Sequence, residues 1–137
     1  MNDIESSFPP GLRQAFRIPD RLEVSVVRTG RLVKRPGQAV YMVTLHNPRE
    51  TPASNVVLKI GLPRGLAFAD SVNPPHTNVV HSGDGGRSIE YSPILDLRAG
   101  ESVQFQIFAL GEASLESIVA SVTCDELSEP IVGQEPG

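Results

Sequence analysis

The sequence predicts an all-β protein, an antiparallel sandwich of seven or eight short strands. In several segments apolar residues recur at every second position, the spacing that places alternate side chains on opposite faces of a strand. Turn-forming residues separate these segments about every ten residues, and no window shows the period of a long helix. Two sheets that bury their apolar faces against each other explain this pattern.

The first three candidate strands are residues 22–29, 39–46 and 55–62. In the second and third, one face carries only apolar side chains, which we expect to point into the core. These are Ala39, Tyr41, Val43, Leu45, Val56, Leu58 and Ile60. Asn47 and Pro48 end the second strand, because proline cannot donate to a strand ladder and disfavours helix before it.

Three shorter candidates follow, at residues 66–69, 79–82 and 87–92, between turns rich in glycine and proline. The last two candidates, 101–110 and 115–124, again alternate. Their inward faces carry Val103, Phe105, Ile107, Ala109, Ile118, Ala120, Val122 and Cys124. We expect both of these strands to be half-buried.

The 137 residues suit one domain. Residues 1–20 contain three prolines and no sustained period, which predicts an N-terminal linker or arm, and Phe8, Phe16 and Ile18 are its candidate anchors. Residues 21–127 form the predicted sandwich. Residues 128–137 are acidic and interrupted by proline, which predicts a C-terminal linker to a neighbouring domain.

Charge and hydropathy argue against two classes of partner. The net charge is −4 and the basic residues are scattered, which disfavours binding to nucleic acid or to an anionic membrane. One basic cluster, Arg28, Arg31, Lys34 and Arg35, flanks a turn and is interpreted as a solvated hairpin end. No apolar window is long enough to span a bilayer, so we expect no direct membrane insertion.

Few residues suggest chemistry. His76, His81 and Asp84 lie close together in sequence, but their spacing matches no known metal signature, and His46 falls on the outward face of its strand. Cys124 is the single cysteine and is followed by two acidic residues, so it is interpreted as a buried apolar residue. Without a nucleophile elbow or a phosphate-binding loop, we predict no enzyme, no metal and no cofactor.

Five short motifs, in order, resemble a repeated bacterial and archaeal surface-protein domain, domain of unknown function 11. They are Pro36-Gly37, Asn47, Asn55-Val56-Val57, Leu62-Pro63-Arg64-Gly65 and Leu97-Arg98-Ala99-Gly100-Glu101-Ser102. The resemblance covers residues 32–124 and implies an immunoglobulin-like sandwich that acts as a spacer or display unit, with no catalytic residues. The chain departs from the family at Pro48, Arg49 and Glu50, where a glycine turn is usual, and at Ile60, where aspartate is usual.

The sequence therefore predicts a non-enzymatic spacer or protein-interaction module, one repeat of a larger cell-surface or secreted protein. Its partners would be neighbouring domains of the same chain or another protein, and Pro48, Arg49 and Glu50 are the predicted contact. Two alternatives stay open. One is a module that binds carbohydrate or peptide, and the other is a cytoplasmic adaptor with the same fold.

Overall fold

A computed structural model describes residues 21–29, 38–111, 117–127 and 129–134. They form ten strands and a short 3-10 helix, Asp84–Gly86. The strands are β1 (Glu23–Arg28), β2 (Gln38–His46), β3 (Ala53–Gly61), β4 (Leu66–Val72), β5 (Val79–Gly83), β6 (Ser88–Tyr91), β7 (Ile94–Leu97), β8 (Ser102–Gly111), β9 (Val119–Thr123) and β10 (Ile131–Gln134). These ranges contain no α-helix, and no helix in them is long and apolar enough to cross a membrane.

The strands form two antiparallel sheets. One has four strands in the order β1-β2-β8-β4, and the other has the order β10-β9-β3-β6-β5, with β7 also paired to β3. The two apolar faces pack against each other, and the buried residues of both sheets form one hydrophobic cluster. The predicted all-β antiparallel sandwich is therefore confirmed.

The inward faces predicted from the period of two are the core. The seven expected residues of β2 and β3 are at most 2% exposed, and Phe105, Ile107 and Ala109 of β8 are 0% exposed. In the centre, the rings of Tyr91 and Phe105 lie 4.7 Å apart with a 58° tilt, a favourable aromatic geometry. The alternation of apolar side chains therefore specifies which face of each strand is buried.

Two strands were not predicted. β6 and β7 pair one after the other with β3. Pro93 lies between them and interrupts the pairing, because proline has no N–H to donate to a strand ladder. β10 corrects the prediction that residues 128–137 are a linker, since residues 131–134 pair with β9. It is only four residues long and Gly133 interrupts its alternation, which is why the period of two did not reveal it.

Two parts of the prediction concern residues that the structure does not describe. The N-terminal arm, residues 1–20, lies outside the described residues. So do Arg31, Lys34 and Arg35 of the basic cluster, within residues 30–37. Arg28, its fourth member, belongs to β1, and its guanidinium carbon lies 5.9 Å from the centre of the Tyr41 ring, within the range of a cation–π contact.

The first and last strands lie side by side at one lateral side of the sandwich, although they belong to different sheets. A Cβ atom added to Gly133 of β10 would lie 2.9 Å from the carbonyl oxygen of Val24 in β1. Only glycine permits this approach without displacing the backbone. At the opposite side, Gly86 of the 3-10 helix approaches Ala67 and Phe68 of β4 in the same manner.

Candidate functional site

The predicted contact residues lie in the loop between β2 and β3, residues 47–52. The loop begins at Asn47, which is 0% exposed, and it ends before Ala53, the first residue of β3. The backbone N–H of Asn47 donates to the carbonyl of Glu101 (2.9 Å), and the N–H of Gly100 donates to the carbonyl of Asn47 (2.7 Å). The start of the loop is thereby joined to the turn between β7 and β8.

The side chain of Asn47 holds this region together. Its Nδ2 group donates to the carbonyl oxygens of Thr51 (2.9 Å), Leu97 (2.9 Å) and Arg98 (3.2 Å), and its Oδ1 atom accepts the N–H of Arg49 (3.0 Å). One buried amide thus satisfies backbone groups of both connections, the carbonyl of Leu97 in a buried position and the others in part-buried ones. The loop is fixed from inside while its outer residues face solvent.

The facing turn, residues 98–101, is closed by its own bonds. The N–H of Glu101 donates to the carbonyl of Arg98 (3.0 Å), and the N–H of Arg98 donates to a carboxylate oxygen of Glu101 (2.8 Å). Gly100 has a φ of 76°, which glycine adopts without strain. Arg98 and Glu101 are exposed, so the end of the sandwich next to the β2–β3 loop presents both signs of charge.

The structure places the three predicted contact residues on the outer part of the loop. Pro48 and Arg49 are half-buried, and Glu50 is exposed. The Nη1 atom of Arg49 is buried and has no hydrogen-bond partner among the described residues, and the ion pairs found there do not include Arg49. Because buried donors are usually hydrogen-bonded, this one nitrogen of the half-buried guanidinium is unsatisfied.

A row of polar side chains lies beside the loop, on the outward face of the four-stranded sheet. His46 lies on the outward face as predicted, and its Nδ1 atom is 2.7 Å from the hydroxyl oxygen of Ser102. Glu23 is the cross-strand neighbour of His46 on the other side, but no hydrogen bond joins the two in the described part of the chain. The three residues stand in a line on an open sheet face.

The other histidines and the cysteine lie elsewhere. His76 and His81 are exposed, as is Asp84, and the described ranges hold no group of three or more His, Cys, Asp or Glu side chains placed to bind one metal ion. Cys124 is buried, as predicted, and burial raises the pKa of its thiol. A raised pKa lowers the fraction of reactive thiolate at neutral pH.

Sequence reasoning found the loop but not the residue that organises it. Asn47 was predicted only to end a strand, whereas it is the hydrogen-bonding centre of two connections. An asparagine directly between an apolar strand and a proline was the available signal. Its long-range partners, about fifty positions away, could not be inferred without the fold.

Comparisons with known proteins identify the fold only. No family model matches the chain, and no curated protein matches it. Solved structures do match. They include the major pilin SpaD of Corynebacterium diphtheriae (TM-score 0.57, 7% identity, 84% of this chain and 34% of the pilin). An uncharacterised Nocardia farcinica protein with an immunoglobulin-like fold also matches (TM-score 0.52, 16% identity, 79% of this chain and 82% of that protein).

A chitin-binding domain from Streptomyces coelicolor is similar as well (TM-score 0.51, 17% identity, 72% of this chain and 89% of the domain). The chain spans only 17% of an exo-β-N-acetylglucosaminidase from Vibrio harveyi, at a TM-score of 0.50 and 15% identity over 83% of this chain. At such low identities the likeness establishes an immunoglobulin-like β-sandwich and no activity.

Proposed function

We propose that this domain is a non-enzymatic protein-interaction module whose β2–β3 loop binds an acidic group of its partner through Arg49. The observation that carries the proposal is a half-buried arginine, with one buried guanidinium nitrogen that has no hydrogen-bond partner among the described residues, on a loop that Asn47 holds in place. A fixed loop loses little conformational entropy on binding, which favours recognition.

The energetics of Arg49 support a role in binding rather than in folding. A buried donor without a partner costs about 1–3 kcal/mol of stability. The Nη1 atom has almost no accessible surface, so a partner carboxylate would supply its acceptor only when the side chain turns outward; guanidinium and carboxylate then match as a planar, bidentate pair. Glu50 and Glu101 are both exposed and would repel an acidic group of the partner. This repulsion would leave the arginine as the favoured position for that group.

The arrangement of the remaining polar groups favours a binding protein over an enzyme. The His46 and Ser102 pair lies on an open sheet face, and His46 has no hydrogen bond to a carboxylate in the described residues. Nucleophilic serines are usually activated by a histidine that a third group orients. Cys124 is buried with a raised pKa, so it is a poor nucleophile.

The wider role follows from the sequence motifs. The order of the five motifs supports membership of the surface-protein repeats described above, and we propose that the domain is one repeat of a cell-surface or secreted protein. Its partner would then be a neighbouring domain or another protein at the surface. A cytoplasmic adaptor of the same fold is the competing assignment, and the location of the parent protein in fractionated cells would decide between them.

Recognition of carbohydrate is less well supported by the described residues. Sugar-binding surfaces usually expose aromatic rings, but Tyr41, Tyr91 and Phe105 are each at most 1% exposed. Phe68 and Phe108 are half-buried. A charged loop at the end of the sandwich is better suited to a protein partner than to a glycan.

The test places a photo-crosslinking amino acid at position 50 of the parent protein in its own cells. We expect one dominant crosslinked partner, which is lost with Arg49→Glu and weakened with Arg49→Lys, because lysine keeps the charge but cannot form the bidentate pair. The matched control carries the crosslinker at Lys59, an exposed position within β3 and away from the β2–β3 loop. The proposal fails if both positions capture the same proteins, or if Arg49→Glu leaves the crosslink unchanged.

A further inference from the structure

The connections between strands lie at two separate ends of the sandwich. β3 runs from the β2–β3 loop to the turn of residues 62–65, a length of about 30 Å for its nine extended residues. The N–H of Asp125 donates to the carbonyl of Ser54 (3.0 Å), which brings the turn after β9 to the beginning of β3. The loop end therefore consists of residues 47–52, 98–101 and 124–127.

The hairpin end lies at the other end of β3 and consists of residues 62–65 and 84–87. The N–H of Leu62 donates to the carbonyl of Arg87 (2.7 Å), and the Nε–H of Arg87 donates to the carbonyl of Leu62 (3.4 Å). These bonds join the β3–β4 turn to the tip of the β5–β6 hairpin. Asp84 begins that tip and is exposed.

Charge at the loop end is mostly negative. Arg49 is followed by Glu50 in the loop, and the backbone of Asn47 bonds that of Glu101, so the arginine shares this surface with both glutamates. A cation thus lies among carboxylates. The connections of this end carry four exposed carboxylates and two arginines: Glu50, Glu101, Asp125, Glu126, Arg49 and Arg98.

Charge at the hairpin end has the opposite arrangement. Asp84 lies between β5 and β6, Arg87 follows it by three positions, and the exposed Arg64 lies in the adjoining turn. Among the described residues of this end, one carboxylate thus lies among two cations. Surfaces with reciprocal charge patterns attract each other and fix their relative orientation.

The lateral strands are less suited to pairing with another copy. The register of β4 shifts between Phe68 and Asp70, and that of β5 shifts between Val79 and His81, as in β-bulges. The N–H of Ser71 donates to the carboxylate of Asp70 (2.8 Å). Bulges and charged groups hinder the addition of a further strand. On the opposite side, β1 and β10 approach each other closely.

We propose that two copies of this domain stack head to tail, with the hairpin end of one copy on the loop end of the other. Asp84 is then the acidic group that Arg49 binds, and Arg64 and Arg87 face the glutamates of the loop end. This inference rests on the proposed function, because it names the partner of the same loop. A contact between two different ends does not close on itself, so it builds a linear array.

The contact consists of exposed ion pairs, which are weak and are screened by salt. It is therefore a contact between copies that are held together in one chain or are very concentrated. Short flexible linkers give effective concentrations in the millimolar range, so the full chain at about 1 mM reproduces that condition.

The experiment traps this contact by disulfide formation between two variants of the full chain, each in a Cys124→Ala background. Thr51→Cys marks the loop end and Ser82→Cys marks the hairpin end, and neither changes a charge. Intact mass separates their mixed disulfide from the two symmetric ones. At low salt we expect several-fold more mixed disulfide than for Thr51→Cys with Ser25→Cys, an exposed position on the lateral strand β1. High salt should abolish the excess.

Charge exchange identifies the ion pair. Arg49→Glu in the Thr51→Cys copy should remove the excess, and Asp84→Lys in the Ser82→Cys copy should restore it. Asp84 has a φ of 53°, which asparagine also tolerates, so Asp84→Asn is a second variant that should reduce the excess without strain.

Equal yields for the two mixed pairs, a preference for the symmetric Thr51→Cys disulfide, or an excess that survives Arg49→Glu would overturn the inference. If the excess is absent while crosslinking at position 50 still depends on Arg49, the head-to-tail contact is wrong and the proposed function stands. If crosslinking does not depend on Arg49 either, the proposed function fails as well.

Discussion

At the scale of single residues, Asn47 and Tyr91 show opposite uses of a buried polar group. Asn47 is fully buried, and its side chain bonds four backbone groups in two connections. Tyr91 is 1% exposed, and its hydroxyl makes no hydrogen bond of good geometry among the described residues, although the Ser71 side chain lies near enough to interact with it. The Asn47 amide stabilises the fold through its hydrogen bonds, whereas Tyr91 stabilises it mainly through the burial of its aromatic ring.

Replacement of Asn47 by alanine should lower the free energy of unfolding by about 3 kcal/mol, because the buried carbonyl of Leu97 and two part-buried carbonyls lose their donor. Urea unfolding of the variant measures this loss. The exposed Asn78 offers the matched control, and Asn78→Ala should change stability by less than about 0.5 kcal/mol. Equal effects of the two substitutions would show that the bonds of Asn47 contribute little.

Replacement of Tyr91 by phenylalanine should be neutral or stabilising at neutral pH, because the lost hydroxyl is buried and makes no well-formed hydrogen bond, Ser71 being its one polar neighbour of note. Burial raises the pKa of Tyr91, so the folded protein keeps the proton above the unfolded pKa of about 10 while the unfolded chain releases it. The wild type therefore loses stability as pH rises past this value. Thermal unfolding at increasing alkaline pH should show a growing advantage of Tyr91→Phe, and a constant difference would contradict the prediction.

At the scale of elements, the alternation of side chains predicted the strands that face the core on one side. It located β2, β3, β8 and β9 to within a few residues. It missed β7 and β10, because the sequences ILDL and IVGQ lack the alternation of apolar and polar residues that the equally short β6, SIEY, displays. Such strands form because a neighbouring strand offers unpaired backbone groups. The presence of that neighbour depends on the fold and cannot be inferred from the short segment itself.

The candidate site was predictable to a similar extent. Arg49 in place of the glycine expected from the resemblance identified residues 48–50 as unusual. That Arg49 lacks a partner depends on which residues the fold brings near it, and the local sequence does not contain that information. Whether the three residues contact a partner stays a prediction.

The junction of β1 with β10 leads to a test of one close approach between the sheets. Gly133→Ala should destabilise the protein by about 1–3 kcal/mol, since the new methyl group would meet the carbonyl oxygen and Cγ1 of Val24 at 2.9 and 3.0 Å. Gly61→Ala is the control, because nothing lies within 4 Å of an added Cβ there. Chemical denaturation of both variants measures the difference, and equal stabilities would mean that β10 shifts freely.

At the scale of the whole molecule, one hydrophobic cluster connects both sheets and includes Leu22, Cys124 and Ile131 near the ends of the described chain. Residues so distant in sequence share one core, so we expect the sandwich to unfold cooperatively. Cys124, the single thiol, can report this opening because it is 8% exposed.

The thiol of Cys124 should react with a disulfide reagent at least about a thousandfold more slowly in the native protein than in the unfolded chain, since only opened molecules expose it. Urea should accelerate the reaction in parallel with the loss of circular dichroism. A cysteine introduced at the exposed Ser82, in a Cys124→Ala background, should react at once. Rapid native labelling of Cys124 would show that the turn after β9 opens separately.

The approach of Gly133 to Val24 also determines how the domain would respond to mechanical force. Because β1 begins where β10 ends, tension applied through the flanking chain would act across the boundary between these two strands. When force pulls two strands apart from the same end, their contacts break one at a time. When force acts along the length of the strands, many contacts must break together. Such a domain would yield at low force, and an array of these domains would extend by successive openings.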